Sequence, residues 1–492
     1  MVVRNPDATR RRLRYVIIGA GMAGLLAAIR LRERGDSDFI VYEKGDKVGG
    51  TWRENRYPGL TCDVHAHAYT YSFAPYPDWS RYFAPGPEIQ SYFEAVTDRF
   101  GVRGAIRFNT EITDCRFVEG RWRIQMADGT TDVADVVIAA TGVLHHPNIP
   151  AIPGLEDFAG AAFHSARWPD DLSLENKSVG IVGSGSTGVQ LVCGLADHVK
   201  KLVQFSRSPQ WIMPGEDFAY SDSERQEFRD NPEKIEALRG GEEFWARLRH
   251  FNNAILNPDS PEMAQIEALV RHNLETSVAD PVLRERLRPN YRAVCKRIVM
   301  SPNYYECVQR PNVEVETGKL ARVERNGVRM EDGALHELDA IVLATGFRAD
   351  RFVRPIRVRG LDGMELDEVW AVRPNAYLAI TVPQFPNFFM LNGPAGPVGN
   401  FSLIDVAERQ WGYIDRLLEP IRAGRHSTVA VRPAVLADYE NRRIAAARTT
   451  IWATGCTSWY LDSEGVPASW PWTYDHFAEE MATPRMSDFI FD

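Results

Sequence analysis

Apolar positions recur along the chain with two different periods, and the changes between them mark its organisation. Tyr15-Val16-Ile17-Ile18 is a β-branched-rich run of strand length, and Met22 to Arg34 follows with Leu25, Leu26, Ile29 and Leu31 at helical spacing. A second short run, Phe39-Ile40-Val41-Tyr42, completes a strand-helix-strand unit. From Ile106 to Ile138 short alternating stretches around an Asp128-Gly129 turn predict a β-meander. The opening pattern then returns: Lys177 to Val182 reads as a strand, Val189 to Leu195 as a helix, and Leu202-Val203-Gln204-Phe205 as the next strand. Between Gly215 and Arg288 the chain turns polar, and charged stretches around Ser223 to Leu238 and Glu262 to Leu274 predict a helical insertion. That segment reads equally as a cap over an active site or as a solvated decoration, with Trp245 and Phe251 as packing residues.

Each strand-helix unit is joined by a glycine turn. The first is Gly19-Ala20-Gly21-Met22-Ala23-Gly24 and the second Gly183-Ser184-Gly185-Ser186-Thr187-Gly188. In such a turn the first glycine permits the tight bend, the second lets backbone approach a pyrophosphate, and the third lets helix and strand pack closely. The second strand of the first unit ends in Glu43, 19 residues beyond Gly24, where an acid can accept from a ribose diol and would repel a 2′-phosphate. The same spacing beyond Gly188 brings Arg207, with Ser208 beside it. An arginine there can hold a 2′-phosphate, so the second turn, including Gln190 of its helix, is expected to take NADPH. Asp135 to Gly142 ends in Ala-Thr-Gly, and a near copy recurs at Asp339 to Phe347, each returning the chain toward its nucleotide. The expected fold is α/β, with two Rossmann-like dinucleotide-binding domains and the helical insertion inside the second.

Composition narrows this picture. A chain of 492 residues exceeds what one core usually supports, and 44% hydrophobic with 25% charged residues is ordinary for a soluble globular protein. The net charge of -9 argues against a nucleic-acid partner. A basic run at Arg10 to Arg12 and Arg14 precedes only the short Tyr15 to Ile18, which is a strand and not a signal-peptide core. No apolar stretch reaches bilayer-spanning length, so a soluble, cytoplasmic protein without a membrane partner is expected. The six cysteines, at positions 62, 115, 193, 295, 307 and 456, form no paired spacing, which argues against a disulfide framework and against a zinc site.

Between the two turns, Phe158, Gly160, His164, Trp168 and Pro169 fit F-x-G-x-x-x-H-x-x-x-W-P, a hinge segment. This string resembles the fingerprint of the Baeyer-Villiger monooxygenases. A second string resembles that family at every fixed position of G-G-x-W-x-x-x-x-Y-P-G-x-x-x-D: Gly49, Gly50, Trp52, Tyr57, Pro58, Gly59 and Asp63. The resemblance implies FAD at the first turn and NADPH at the second, with Gly50, Thr51, Trp52, Asp63 and Tyr69 on the flavin. Val64 to His67 depart from the family pattern, and Tyr69, Tyr71, Ser72 and Phe73 return to it. Lys296-Arg297 precedes Tyr304-Tyr305 and Arg310-Pro311-Asn312-Val313, and by resemblance Arg297 is the catalytic arginine, steadied by Asp63, while Lys296 binds NADPH. The stretch from Pro386 to Pro394 resembles a return to the flavin domain. Trp459 reads as a wall of the cofactor or substrate pocket or as a packing tryptophan.

The resemblance implies an FAD-binding domain of residues 1–145 and 347–492, an NADPH-binding domain of 146–214 and 291–346, and an insertion of 215–290. The implied activity consumes NADPH and O2 and converts a ketone to an ester or lactone through a C4a-peroxyflavin. No metal is called for. A related flavin monooxygenase acting on amines or sulfides is the nearest alternative; Trp168-Pro169 separates it. A disulfide reductase lacks suitably spaced cysteines, and a flavin-fold protein without catalysis would have no use for Asp63, Lys296 and Arg297 together. Oligomeric state is left open.

Overall fold

Two all-parallel five-stranded sheets frame the molecule in the computed structural model, which describes residues 11–397 and 401–492. The first sheet runs, edge to edge, Phe388–Met390, Val136–Ala139, Tyr15–Ile18, Phe39–Tyr42 and Ile106–Arg107. The second runs Val313–Glu316, Lys201–Phe205, Ser178–Val182, Ala340–Leu343 and Ala161–His164. Tyr15–Ile18, Val136–Ala139 and Ala340–Leu343 are buried at every residue, as parallel strands covered on both faces must be. That burial explains why these strands read as continuous apolar runs.

In each sheet the strand that enters a glycine turn lies beside the strand that ends in Ala-Thr-Gly. The strand order reverses between those two neighbours, and a crevice opens there at the carboxyl ends of the strands. The predicted meander is present as Ile112–Val118, Arg121–Met126 and Thr131–Ala134, antiparallel, with Arg357–Arg359 added parallel to its edge. Trp122, fully buried, anchors it by donating its indole N–H to the Pro386 carbonyl at 2.8 Å.

Two connections pass between the sheets side by side. Pro147 bridges Phe347, the Thr141 hydroxyl donates to the Phe352 carbonyl at 3.1 Å, and Asn148 N–H donates to the Gly346 carbonyl at 2.8 Å. The insertion is helical as expected, with helices Asp222–Asp230, Pro232–Gly240, Glu242–Leu256, Pro261–Ser277 and Pro281–Arg286. Ser221 and Glu224 form a reciprocal capping box at the first of these. The segment leaves and rejoins the body at a two-stranded ribbon of Ile212–Met213 with Val299–Met300, which pins both its ends. No helix among the described residues is long and apolar enough to cross a membrane. Arg10 of the basic run lies outside the described residues.

Candidate active site

A single cavity of about 1370 Å³ runs from the first glycine turn to the second. This exceeds the roughly 300–1,000 Å³ of an ordinary one-ligand pocket. It is lined by Gly19, Gly21, Glu43, Gly50, Thr51, Trp52, Asp63 and Tyr69 on one side. Gly183, Ser184, Gly185, Ser186, Thr187, Gln190, Arg207, Ser208, Lys296, Arg297 and Trp459 complete the wall. Of the expected cofactor residues only Gly24 and Gly188 are absent from it, and steric demand explains both. A Cβ on Gly24 would stand 1.9 Å from the Gly19 carbonyl oxygen, and one on Gly188 2.3 Å from that of Gly183, so these glycines let each helix close onto its strand. Gly19 and Gly183 have positive φ, and a Cβ on them would stand 2.7 and 2.2 Å from the carbonyl oxygens of Ala140 and Ala344. The two Ala-Thr-Gly segments are thus the backbones against which the turns bend.

Glu43 is held more tightly than a free ribose acceptor would need. Its two oxygens accept from the Ala20 and Gly45 N–H groups, each at 2.7 Å. Each oxygen keeps further acceptor capacity, and Glu43 lines the cavity. Gln190 is likewise engaged: its amide oxygen accepts from the Tyr57 hydroxyl at 2.8 Å and its NH₂ donates to the Thr61 carbonyl at 3.0 Å. Gly59 packs so closely here that a Cβ would meet the Gln190 carbonyl at 2.4 Å, which joins the Tyr57-Pro58-Gly59 loop to the second nucleotide unit. The Trp52 indole donates to the Tyr69 hydroxyl at 3.2 Å, the rings meeting edge to face at 5.5 Å.

At the second turn two cations stand together. The Lys296 ammonium donates to the Ser208 hydroxyl at 2.9 Å and lies over the Tyr291 ring at 4.3 Å. Burial and the nearby Arg207 charge hold its pKa below the ordinary lysine value. Neither cation is paired with a carboxylate among the described residues, so the pocket they share with Ser208 suits an anion.

Farther along the wall, Arg297 donates to Asp63 at 2.6 Å, across 234 residues of sequence. The Asp63 charge raises the Arg297 pKa further, so the guanidinium is a permanent cation. The buried Tyr460 stands close enough to Arg297 to feel its charge, which works against the rise that burial causes in the Tyr460 pKa. Tyr460 carried no role in the sequence reading, and only its place next to Trp459 hinted at one. Trp459 is 40% exposed, lines the cavity and packs on Tyr460 at 4.3 Å, so its part is that of a wall.

The insertion reaches the cavity. Phe244, Leu248, Phe251 and Ile255 of helix Glu242–Leu256 line it, one stripe along the helix. Phe251, expected only to pack, is therefore a cavity residue, and the stripe spacing was the available signal. Trp245 on the adjoining face packs on Tyr474 at 4.8 Å, as expected.

None of the hinge residues lines the cavity. His164 Nδ1 accepts from Ala166 N–H at 3.1 Å, so its Nε2 carries the proton and donates to the Gly346 carbonyl at 3.0 Å. Gly160 fits against the Asp339 carbonyl, which a Cβ would meet at 2.2 Å, beside the Phe158 ring. Trp168 stacks edge-on with Phe163 at 5.1 Å, and neighbouring Arg167 pairs with Glu54 at 2.9 Å. The segment thus ties the second Ala-Thr-Gly to the loop of the first nucleotide unit.

One expectation is overturned. Cys295 and Cys456 form a disulfide, with Cα atoms 6.2 Å apart and 161 residues between them in sequence. Spacing rules detect cysteine pairs that are near in the chain, and this pair is brought together only by tertiary packing. Cys62, Cys115, Cys193 and Cys307 are free thiols.

A family described as flavin-binding monooxygenase-like matches residues 12–220. A Baeyer-Villiger monooxygenase of Streptomyces coelicolor is 38% identical over 488 residues, covering 98% of this chain and 93% of that one. Another from Pseudomonas aeruginosa is 35% identical, covering 94% and 88%. The crystal structure of cyclohexanone monooxygenase from Rhodococcus sp. Phi1 bound to NADP+ superposes with a TM-score of 0.87 at 27% identity, covering 98% and 99%. Two glycine turns brought into one cavity, an arginine-aspartate pair in its wall and full-length likeness to these enzymes agree: the chain belongs to the Baeyer-Villiger monooxygenases, within the flavin-binding monooxygenases.

Proposed function

We propose that the protein binds FAD at the first glycine turn and NADPH at the second, and inserts one oxygen atom from O2 beside a ketone carbonyl to give an ester or lactone. The observation that carries this reading is the Asp63–Arg297 pair set in the wall of a cavity that both turns share. The cradle fits the cofactors: tight glycine backbones receive pyrophosphates, and two cations without acids receive a 2′-phosphate. When bound, reduced flavin would supply the two electrons that activate O2, one atom of which is transferred.

The chain's own residues supply position and charge. Gly19, Gly21 and Glu43 hold the first nucleotide, with Gly50, Thr51, Trp52 and Tyr69 along the flavin. Gly183 to Thr187 face the second pyrophosphate, and Arg207, Ser208 and Lys296 hold the 2′-phosphate. Arg297 keeps a fixed positive charge where negative charge builds on the reacting oxygens, including the ketone oxygen as its carbon is attacked. Asp63 keeps the guanidinium in one orientation, with Tyr460 beside it in the cavity wall. The stripe Phe244, Leu248, Phe251 and Ile255, with Phe401 and Trp452, excludes water and faces an apolar ketone.

The division into an FAD unit of 1–145 and 347–492, an NADPH unit of 146–214 and 291–346, and an insertion of 215–290 belongs to this proposal, and the strand membership of the two sheets supports it. So does a cytoplasmic location, where NADPH is supplied. The test is product analysis: FAD-loaded enzyme, NADPH and a panel of apolar ketones with thioethers alongside. Esters formed in step with NADPH use support the proposal; oxygenation of thioethers with no ester from any ketone overturns it.

A further inference from the structure

We propose that the Cys295–Cys456 disulfide is a redox-sensitive brace that positions Arg297 and Tyr460 for oxygenation; this rests on the function proposed above. Closed, it ties the loop bearing Trp459 and Tyr460 to the segment bearing Lys296 and Arg297. Opened, it frees the loop, and NADPH oxidation runs on with little ester formed.

Three observations carry the argument. First, the bond falls where the loop has few other holds. Thr454, Gly455, Thr457 and Trp459 are exposed, whereas Cys456 is 7% and Cys295 1% exposed. Among the described residues, the hydrogen bonds of Gly455 to Trp459 stay inside the loop, with Ser458 accepting from Tyr460 and Leu461 N–H. From Tyr460 onward the chain is fastened independently, by Ala468 N–H to the Tyr460 carbonyl at 2.7 Å, Arg373 to Asp462 at 3.0 Å and Arg443 to the Pro467 carbonyl at 2.8 Å. The disulfide therefore holds the part of the loop that the other contacts leave loose, four residues ahead of Tyr460.

Second, the other end of the bond is next to Lys296 and two residues before Arg297. Val294, just before it, has φ 65, a conformation that a β-branched side chain keeps only where its surroundings impose it. Thr454 adds a hydroxyl contact to Cys295 Sγ at 3.5 Å. Third, Val294, Lys296, Arg297 and Thr457 to Tyr460 line the cavity, while neither Cys295 nor Cys456 does among the described residues. The sulfurs sit behind the wall, placed to set its shape and not to exchange electrons with a bound flavin. A disulfide in a compartment kept reducing is more often a sensor than a staple.

Opening needs a dithiol reductant. Its thiolate attacks one sulfur, the S–S bond breaks to a mixed disulfide, and the second thiolate resolves it. Two electrons and two protons pass to Cys295 and Cys456 as the reductant becomes its own disulfide.

The test uses holoenzyme as isolated and after dithiothreitol followed by desalting. Alkylation under denaturing conditions counts thiols, four when closed and six when open, and peptide mapping identifies the Cys295–Cys456 link. Reduction is expected to lower ester formed per NADPH about tenfold to a hundredfold, to leave NADPH oxidation running, and to speed chymotryptic cleavage after Trp459 and Tyr460. Reoxidation with diamide restores coupling. The double variant Cys295→Ser, Cys456→Ser behaves as the reduced enzyme in both measurements and ignores both reagents. Unchanged coupling after verified reduction overturns the brace, as does a protein in which diamide forms no Cys295–Cys456 link. If neither state makes ester, the functional reading fails and the brace is judged by cleavage alone, equal rates in the two states overturning it.

Discussion

Arg207→Ala is expected to reduce discrimination between NADPH and NADH, and the structure sets how far. The side chain is exposed and has no acidic partner among the described residues, so the substitution removes a cation without uncovering a buried charge. A charge-assisted hydrogen bond is worth about 1.5 to 3 kcal/mol, and exposure places this one at the lower end, about 1.5 kcal/mol or roughly tenfold in Kd. Lys296 remains, so NADPH binding weakens without disappearing, and NADH binding barely changes. A second consequence follows from Lys296. It carries charge below its lowered pKa and loses it as pH rises through that value, so affinity for the 2′-phosphate falls with rising pH, beginning below the ordinary lysine value of about 10.4. Without Arg207 the lysine escapes a like charge and its pKa rises, which moves the alkaline loss of affinity to higher pH. Titration calorimetry with NADP+ and NAD+ from neutral to alkaline pH reads both effects. An unchanged NADP+ to NAD+ ratio would show that Arg207 does not read the phosphate. A ratio that changes with no movement of the alkaline limb would show that the two cations do not act together.

Arg297→Ala is expected to keep FAD and its reduction by NADPH while ester formation drops about 10²- to 10³-fold and hydrogen peroxide appears instead; Arg297→Lys recovers little, and near-normal ester yield would place the catalytic cation elsewhere. Gly24→Ala would put a Cβ 1.9 Å from the Gly19 carbonyl oxygen and is expected to lower the melting temperature and strip the yellow cofactor. Gly185→Ala meets nothing within 4 Å, so it should fold normally and weaken NADPH alone, a contrast read by thermal unfolding against cofactor titration. Phe251→Ala is expected to raise kcat/KM for bulky ketones relative to small ones, and an unchanged ranking would remove the stripe from the substrate wall. Burial lowers the pKa of His65 to about 3 and that of His67 to about 4, so the unfolded chain binds more protons than the folded one below the ordinary histidine range. Stability should therefore fall with decreasing pH by up to about 1.4 kcal/mol per unit for each histidine, and His67→Phe should remove its share of the slope in denaturant titrations.

The sequence alone determined the local units. Strand-helix-strand repeats, glycine turns and the spacing to Glu43 and Arg207 are legible because periodicity and steric need act over a few residues. Gly24 and Gly183 are glycines for reasons that lie within one turn or one neighbouring strand. Lys296-Arg297 was legible through likeness to a family, not through any local physical signal. What only the tertiary structure decided is which distant segments meet. Phe388–Met390 joins the edge of the first sheet from a distant part of the sequence, Asp63 reaches Arg297 across 234 residues, and Tyr460 lines the same cavity wall. Phe251 faces the cavity and Trp245 the core because of how one helix is rotated in the packed insertion. Cys295 and Cys456 pair because two loops pack behind the cavity wall, and chain spacing carries no trace of that. Contacts of this kind depend on rigid packing of elements whose sequences specify their own shape but not their neighbours.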